Sequence, residues 1–250
     1  MRLKQKLQNT DMRLSSALCT IPSAAITQAL AASGLDAVIV DLEHGAVDYG
    51  SAHAMIAATA GTDCAPLVRI RENIPSLVKR ALDLGAEGIV FPLIRTAEEA
   101  RLAVQSMHYP PDGVRGFGPF IAQSRWQANL ASYPAQEQGN LICCLLVETA
   151  EAVDNIDAIC AVEGIDLLIP AQFDLSTDLG IMGQFEHPEF QRAVAKVEAA
   201  ANKASIPLGN AALAEPQALA LFERGYRLVA SFDILWLREK AAEMAGWCKS

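Results

Sequence analysis

The run VDLEHG at residues 40–45 sets two carboxylates and an imidazole, Asp41, Glu43 and His44, directly after three β-branched residues. A histidine three positions from an aspartate can be oriented and kept basic by that carboxylate, as a general base requires. Glu43 fits a buttress for the loop or a residue that orders metal-bound water. Three further polar residues close apolar runs in the same way: Arg69 after APLV, Glu148 after LICCLLV, and Asp174 a few residues past DLLI. Each has a plain structural alternative. Arg69 could form a structural ion pair, Glu148 could favour a helix N-terminus, and Asp174 could cap a short turn. Two carboxylates brought to one place repel unless something positive lies between them. A hard divalent cation, with water and substrate oxygens completing its shell, answers that need. No His or Cys cluster has zinc spacing.

The elements that would carry these residues alternate along the chain. Short apolar runs at 14–18, 37–41, 65–69, 88–91, 141–147, 166–169, 207–210 and 228–231 read as strands. Stretches at helical spacing lie between them: Ala24–Ala32, Pro75–Leu84, Ala97–Met107, Pro188–Ala204 and Glu215–Arg224, with a last helix over 234–247. Eight such units in 250 residues match a (β/α)8 barrel formed as one domain over residues 1–250, with a doubly wound open sheet as the alternative. In a barrel, strand ends far apart in sequence meet at one rim. His44 is then the one rim imidazole of four, because His53 and His108 fall on a helix and in a turn, and His187 at a helix start.

Composition excludes several classes. A net charge of −9 and a pI near 4.9 argue against nucleic acid or an anionic membrane as partner. No apolar run is long enough for a membrane span, and MRLKQKLQNTDMRL lacks a signal-peptide core, so a cytoplasmic protein is expected. Six cysteines show no CxxC pair, and reduced buried thiols are expected; Cys143 and Cys144 should face opposite sides of a strand. All seven lysines fall in predicted helices or terminal segments, which removes Schiff-base chemistry from a strand lysine. The Gly- and Pro-rich segment 108–140 is long enough to expect a functional loop, with Trp126 as a candidate for recognising an aldehyde. The turns after strands 7 and 8 lack a Gly-rich phosphate cup.

These residues resemble the HpcH/HpaI aldolase/citrate lyase family of metal-dependent pyruvate aldolases. The resemblance runs through VDLEHG (40–45), PLVRI (66–70), LDLGAEGIVFPLIRTAEEA (82–100), YPPDGVRGFG (109–118), VETAEAV (147–153), FDLSTDLG (173–180) and HPEF (187–190). It implies a (β/α)8 barrel that assembles as a homo-oligomer, a hexamer built from dimers or trimers, whose last helix packs on a neighbouring subunit. It implies a divalent metal (Mg, Mn or Co) held by Glu148 and Asp174. Arg69 would hold the keto or enolate oxygen, His44 with Asp41 would be the base dyad, and Asp83 matches a further acidic position linked to the site. Gln172, Phe173 and Asp174 stand where backbone amides of the family meet the substrate carboxylate, although Ala171-Gln172-Phe173 replaces the common Gly-Pro-Ala. Leu146 stands where a Gln is frequent, and Ser231 where a Gly is expected.

The implied reaction is cleavage or formation of a 4-hydroxy-2-oxo acid, giving pyruvate or hydroxypyruvate and an aldehyde through an enolate. The alternatives are oxaloacetate decarboxylation or another lyase on the same enolate, and a non-catalytic barrel that only binds. An acyl-CoA substrate would need a basic groove, which this acidic chain does not supply.

Overall fold

The computed structural model describes residues 1–249. Its strands are β1 (Leu14–Cys19), β2 (Ala37–Asp41), β3 (Ala65–Arg69), β4 (Gly88–Phe91), β5 (Ile142–Val147), β6 (Leu167–Pro170), β7 (Gly209–Ala211) and β8 (Leu228–Phe232). All neighbours pair in parallel, in the order β6-β5-β4-β3-β2-β1-β8-β7, and a parallel bridge between Leu168 and Leu208 joins the two ends. The ring therefore closes, and the open-sheet alternative falls away.

Strand parity sorts the apolar residues into two layers. Ala37, Ile39, Leu67, Val90, Ile142 and Leu146 share one buried cluster inside the ring. Val38, Val40, Val68, Ile89, Phe91 and Val147 belong to a second cluster under the surrounding helices. Cys144 lies in the inner cluster and Cys143 in the outer one, as a strand requires. Continuing the inward parity past the last apolar residue of each strand reaches Asp41 on β2, Arg69 on β3 and Glu148 just beyond β5. The same alternation that fills the barrel aims these groups at its carboxyl end.

The opposite end is sealed by a short helix, Leu3–Gln8, absent from the sequence reading. Its Leu3 and Leu7 are 1% and 2% exposed and complete the inner cluster. Three acids that precede even-numbered strands hold it. Lys6 Nζ donates to Asp36 at 2.8 Å, Leu3 N and Arg2 donate to Glu87, and Lys4 Nζ lies 3.0 Å from Asp166. The two N-terminal lysines are thus spent on closing the base, and no strand carries a lysine among the described residues.

The long segment corrects one expectation. It follows a helix and precedes β5, so it lies at the amino ends of the strands, and it folds into two short helices, Ala122–Arg125 and Tyr133–Glu137. Trp126 is stacked by the guanidinium groups of Arg2 at 3.8 Å and Arg125 at 4.7 Å. It borders Cys64, Ala65 and Glu87 rather than the rim, so within this chain it cannot touch an aldehyde there. Leu3→Ala should cost about 2–5 kcal/mol of stability through lost burial and the cavity left behind. Urea unfolding should show a lower midpoint at unchanged slope; an unchanged midpoint would show that the N-terminal helix is not part of the core.

Candidate active site

Asp41 and Arg69 are direct cross-strand partners in the β2–β3 ladder. Arg69 donates from Nε to Asp41 Oδ1 at 2.8 Å and from its terminal nitrogen to Oδ2 at 2.7 Å, a two-pronged pair with Asp41 fully buried. Asp41 Oδ1 also accepts the backbone amides of Glu43 and His44. Burial alone would raise the Asp41 carboxyl, but the bonds and charge of Arg69, with those two amides, hold it below the ordinary range. It is therefore a fixed anion, a poor base. Gly45 ends the turn because a Cβ there would sit 2.4 Å from the Asp41 carbonyl oxygen.

This arrangement alters the expected dyad. Asp41 is committed to Arg69 and to the loop backbone, while the His44 imidazole, 67% exposed, has Glu43 as its nearby carboxylate at 3.9 Å. Glu43 Oε2 lies 3.3 Å from Arg69 Nε but is buried without a hydrogen-bond partner. Burial raises the Glu43 carboxyl, opposed by the charges of Arg69 and His44.

Glu148, 5% exposed, accepts a hydrogen bond of 2.6 Å from the amide of Leu93, a residue held at φ +54°. Burial, reinforced by the neighbouring charges of Asp174 and Glu43, pushes its carboxyl up to about 7 despite the Leu93 amide and Arg69. Asp174 lies in the first turn of the helix Gln172–Asp178, which has no side-chain cap. Three mutually repelling carboxylates and one orphaned buried oxygen form a place that a cation would stabilise. Among the described residues no group of three or more His, Cys, Asp or Glu is arranged to hold a metal. Glu148 and Asp174 could thus supply two oxygen ligands, leaving the rest to water and substrate. That suits a hard cation of the magnesium type and not a structural zinc.

A cavity of about 300 Å³ opens at the mouth of the barrel, lined at its rim by Asp41, His44, Arg69, Gln172, Phe173 and Asp174, while Glu43 and the buried Glu148 stand behind that lining. A sequence profile of the HpcH/HpaI aldolase/citrate lyase family matches residues 19–233. The chain belongs to this family. It thereby falls among the carbon–carbon lyases. A Pseudomonas putida protein named 2-dehydro-3,6-dideoxy-6-sulfogluconate aldolase is 33% identical over 223 residues, 89% of this chain and 87% of the other. A hydroxypyruvate/pyruvate aldolase of Chromohalobacter salexigens is 36% identical over 216 residues, 86% and 85% of the two chains. The crystal structure of an HpcH/HpaI aldolase from Desulfitobacterium hafniense DCB-2 matches with a TM-score of 0.92 at 32% identity, covering 100% of this chain and 97% of that one.

Of the positions suggested by the family resemblance, the cavity does not gather all. Asp83 ends the helix Pro75–Asp83 and pairs with buried Arg115 at 2.8 Å, away from the lining residues. Ser231 stands between Ala230 and Phe232, which line the cavity while Ser231 does not. Leu146, by contrast, is in the cavity wall two residues before Glu148. The contribution of Leu93 had no sequence signal, since a leucine gives no warning of a left-handed backbone.

The raised Glu148 carboxyl makes a pH prediction for the metal-free protein. A group raised from 4.5 to about 7 by folding stabilises the fold fully below its unfolded value, and that contribution is lost as pH climbs through about 7. Glu148→Gln should therefore match the chelator-treated wild type near pH 4.5 and exceed it by up to about 3 kcal/mol at pH 8. Urea unfolding at the two pH values checks this; a variant less stable than wild type at pH 8 would refute the burial account.

Proposed function

We propose that the protein cleaves 4-hydroxy-2-oxo acids to pyruvate or hydroxypyruvate and an aldehyde. The observation that carries this reading is the convergence of a fixed guanidinium, Arg69, with Asp174 at one cavity mouth, and with Glu148 close enough behind it to feel the charges of both. A donor beside two oxygen ligands is what an α-keto acid needs to become an enolate. The uncapped first turn at Gln172, Phe173 and Asp174 offers amides to the substrate carboxylate. A divalent cation (Mg, Mn or Co) bound by Glu148 and Asp174 would supply Lewis-acid polarisation of the keto oxygen, in keeping with a family that is generally metal-dependent.

The chain's own residues then divide the work. Arg69 meets the negative charge that grows on the keto oxygen. His44, steadied by Glu43 rather than by Asp41, takes the proton of the C4 hydroxyl. The C3–C4 bond breaks, its electron pair passes into the enolate, and a proton returned to C3 gives the 2-oxo acid. Asp41 is a positioning residue, since it acts through Arg69 and the 43–44 backbone. The solvent-facing Ile234, Leu237 and Met244 of the helix Asp233–Trp247 support a homo-oligomer whose last helix packs on a neighbouring subunit. Five buried, unpaired thiols suit the reducing cytoplasm. No helix among the described residues is long and apolar enough to cross a membrane.

Chelator should abolish pyruvate release from a 4-hydroxy-2-oxo acid, and Mg, Mn or Co should restore it. Borohydride with pyruvate should leave no covalent adduct; a trapped lysine would sink the mechanism. Arg69→Ala strands a buried carboxylate and should cost about 3–5 kcal/mol of stability. Arg69→Lys keeps the charge and is the better kinetic variant. Losing the two-pronged geometry should lower both cleavage and deuterium exchange into pyruvate by about 10²–10³, since both pass through the enolate. His44→Ala should depress cleavage more than exchange, and normal cleavage by that variant would remove His44 from the reaction.

A further inference from the structure

Below its polar rim the cavity changes character. Leu18, Ile39, Leu146 and Ile169 line it, each on the inward face two residues before a rim position, with Val90 beside them. Ala211 and Ala230 are too small to fill the space they face. Two polar side chains border this wall, and their oxygens are engaged. Thr20 Oγ1 donates to Asp233 at 2.9 Å, and Asn210 Oδ1 accepts from the amide of Ala211 at 2.7 Å. A substrate hydroxyl entering the well would give up water and meet mostly hydrocarbon. An apolar group would fill space that water occupies poorly.

We infer that the substrate is a 4-hydroxy-2-oxo acid with an apolar tail, so that the aldehyde released is alkyl or aryl rather than polyhydroxylated. This inference rests on the aldol reading above and adds the class of aldehyde. The two ends of such a molecule have opposite demands. Its carboxylate and keto group belong at the charged rim beside Arg69, while its tail belongs against Leu146 and Ile169. On cleavage the C4 hydroxyl gives its proton to the base and C4 becomes the carbonyl carbon of the apolar aldehyde. The C3–C4 pair stays on C3 as the enolate and is then protonated. Leu146 is the determinant within reach of the reacting atoms, because it lies directly beneath Glu148 on the same face of β5. A glutamine there would put an amide at the top of the well.

The test is kcat/KM for pyruvate release by the full-length protein with manganese, over substrates matched in chain length. Two carry a propyl or a phenyl group on C4, and one carries a dihydroxypropyl group. The apolar pair should be preferred by about 10–100-fold, the range a hydrophobic pocket commands. Leu146→Gln should reduce that ratio by roughly tenfold, mostly through KM. If the variant fails to fold, the wild-type ratio decides alone. Pyruvate release from all three at equal kcat/KM, or faster from the hydroxylated substrate, overturns the inference and leaves the aldol reading standing. Release from none of them, with or without metal, overturns the aldol reading and the inference together.

Discussion

The buried pair between Asp41 and Arg69 is the interaction on which the rest of the rim depends. Each residue ends its strand, the two are register partners, and Arg69 places two parallel donors on the two carboxylate oxygens of Asp41. A guanidinium taken out of water at the barrel mouth needs such a partner, and removing either member leaves an uncompensated buried charge. The same carboxylate accepts from Glu43 and His44, so one anion fixes both the positive group and the loop that presents the imidazole. Preorganisation of this kind is where electrostatic catalysis draws its strength, because the donor need not reorganise as charge develops.

The two ends of the barrel treat charge in opposite ways. At the base, Asp36, Glu87 and Asp166 each have a cationic partner from the first six residues, and the result is a closed plug. At the rim, Glu43 and Glu148 share Arg69, which is itself committed to Asp41, and Asp174 adds a further negative charge beside them. The rim is therefore electrostatically unfinished without a ligand. That division matches the general separation in such barrels between a stabilising amino-terminal face and a reactive carboxyl-terminal one.

Much of this was legible before any coordinates. The strands showed themselves as short apolar runs, three of them closed by a charged residue, and Asp41, Arg69 and Glu148 stood where inward parity must carry them. The partner of Asp41 was not legible. Sequence proximity favoured His44, but a side chain bonds to what lies across the ladder, and Arg69 is 28 positions away. The helix Leu3–Gln8 has only six residues, too few for periodicity to reveal. Segment 108–140 was misplaced because its length drew attention to function. Its position between a helix and the following strand already assigns it to the base, where Arg2 and Arg125 enclose Trp126.

If the rim is an anionic site completed by a cation and a keto acid, oxalate should report it directly, since that planar dianion resembles the enolate of pyruvate and undergoes no reaction. Calorimetric titration of oxalate should show binding to the protein supplied with manganese. Binding should disappear after chelation and in Asp174→Asn. Equal oxalate affinity with and without the metal, or undiminished affinity in Asp174→Asn, would contradict the assignment of Glu148 and Asp174 as the groups that hold the cation beside Arg69.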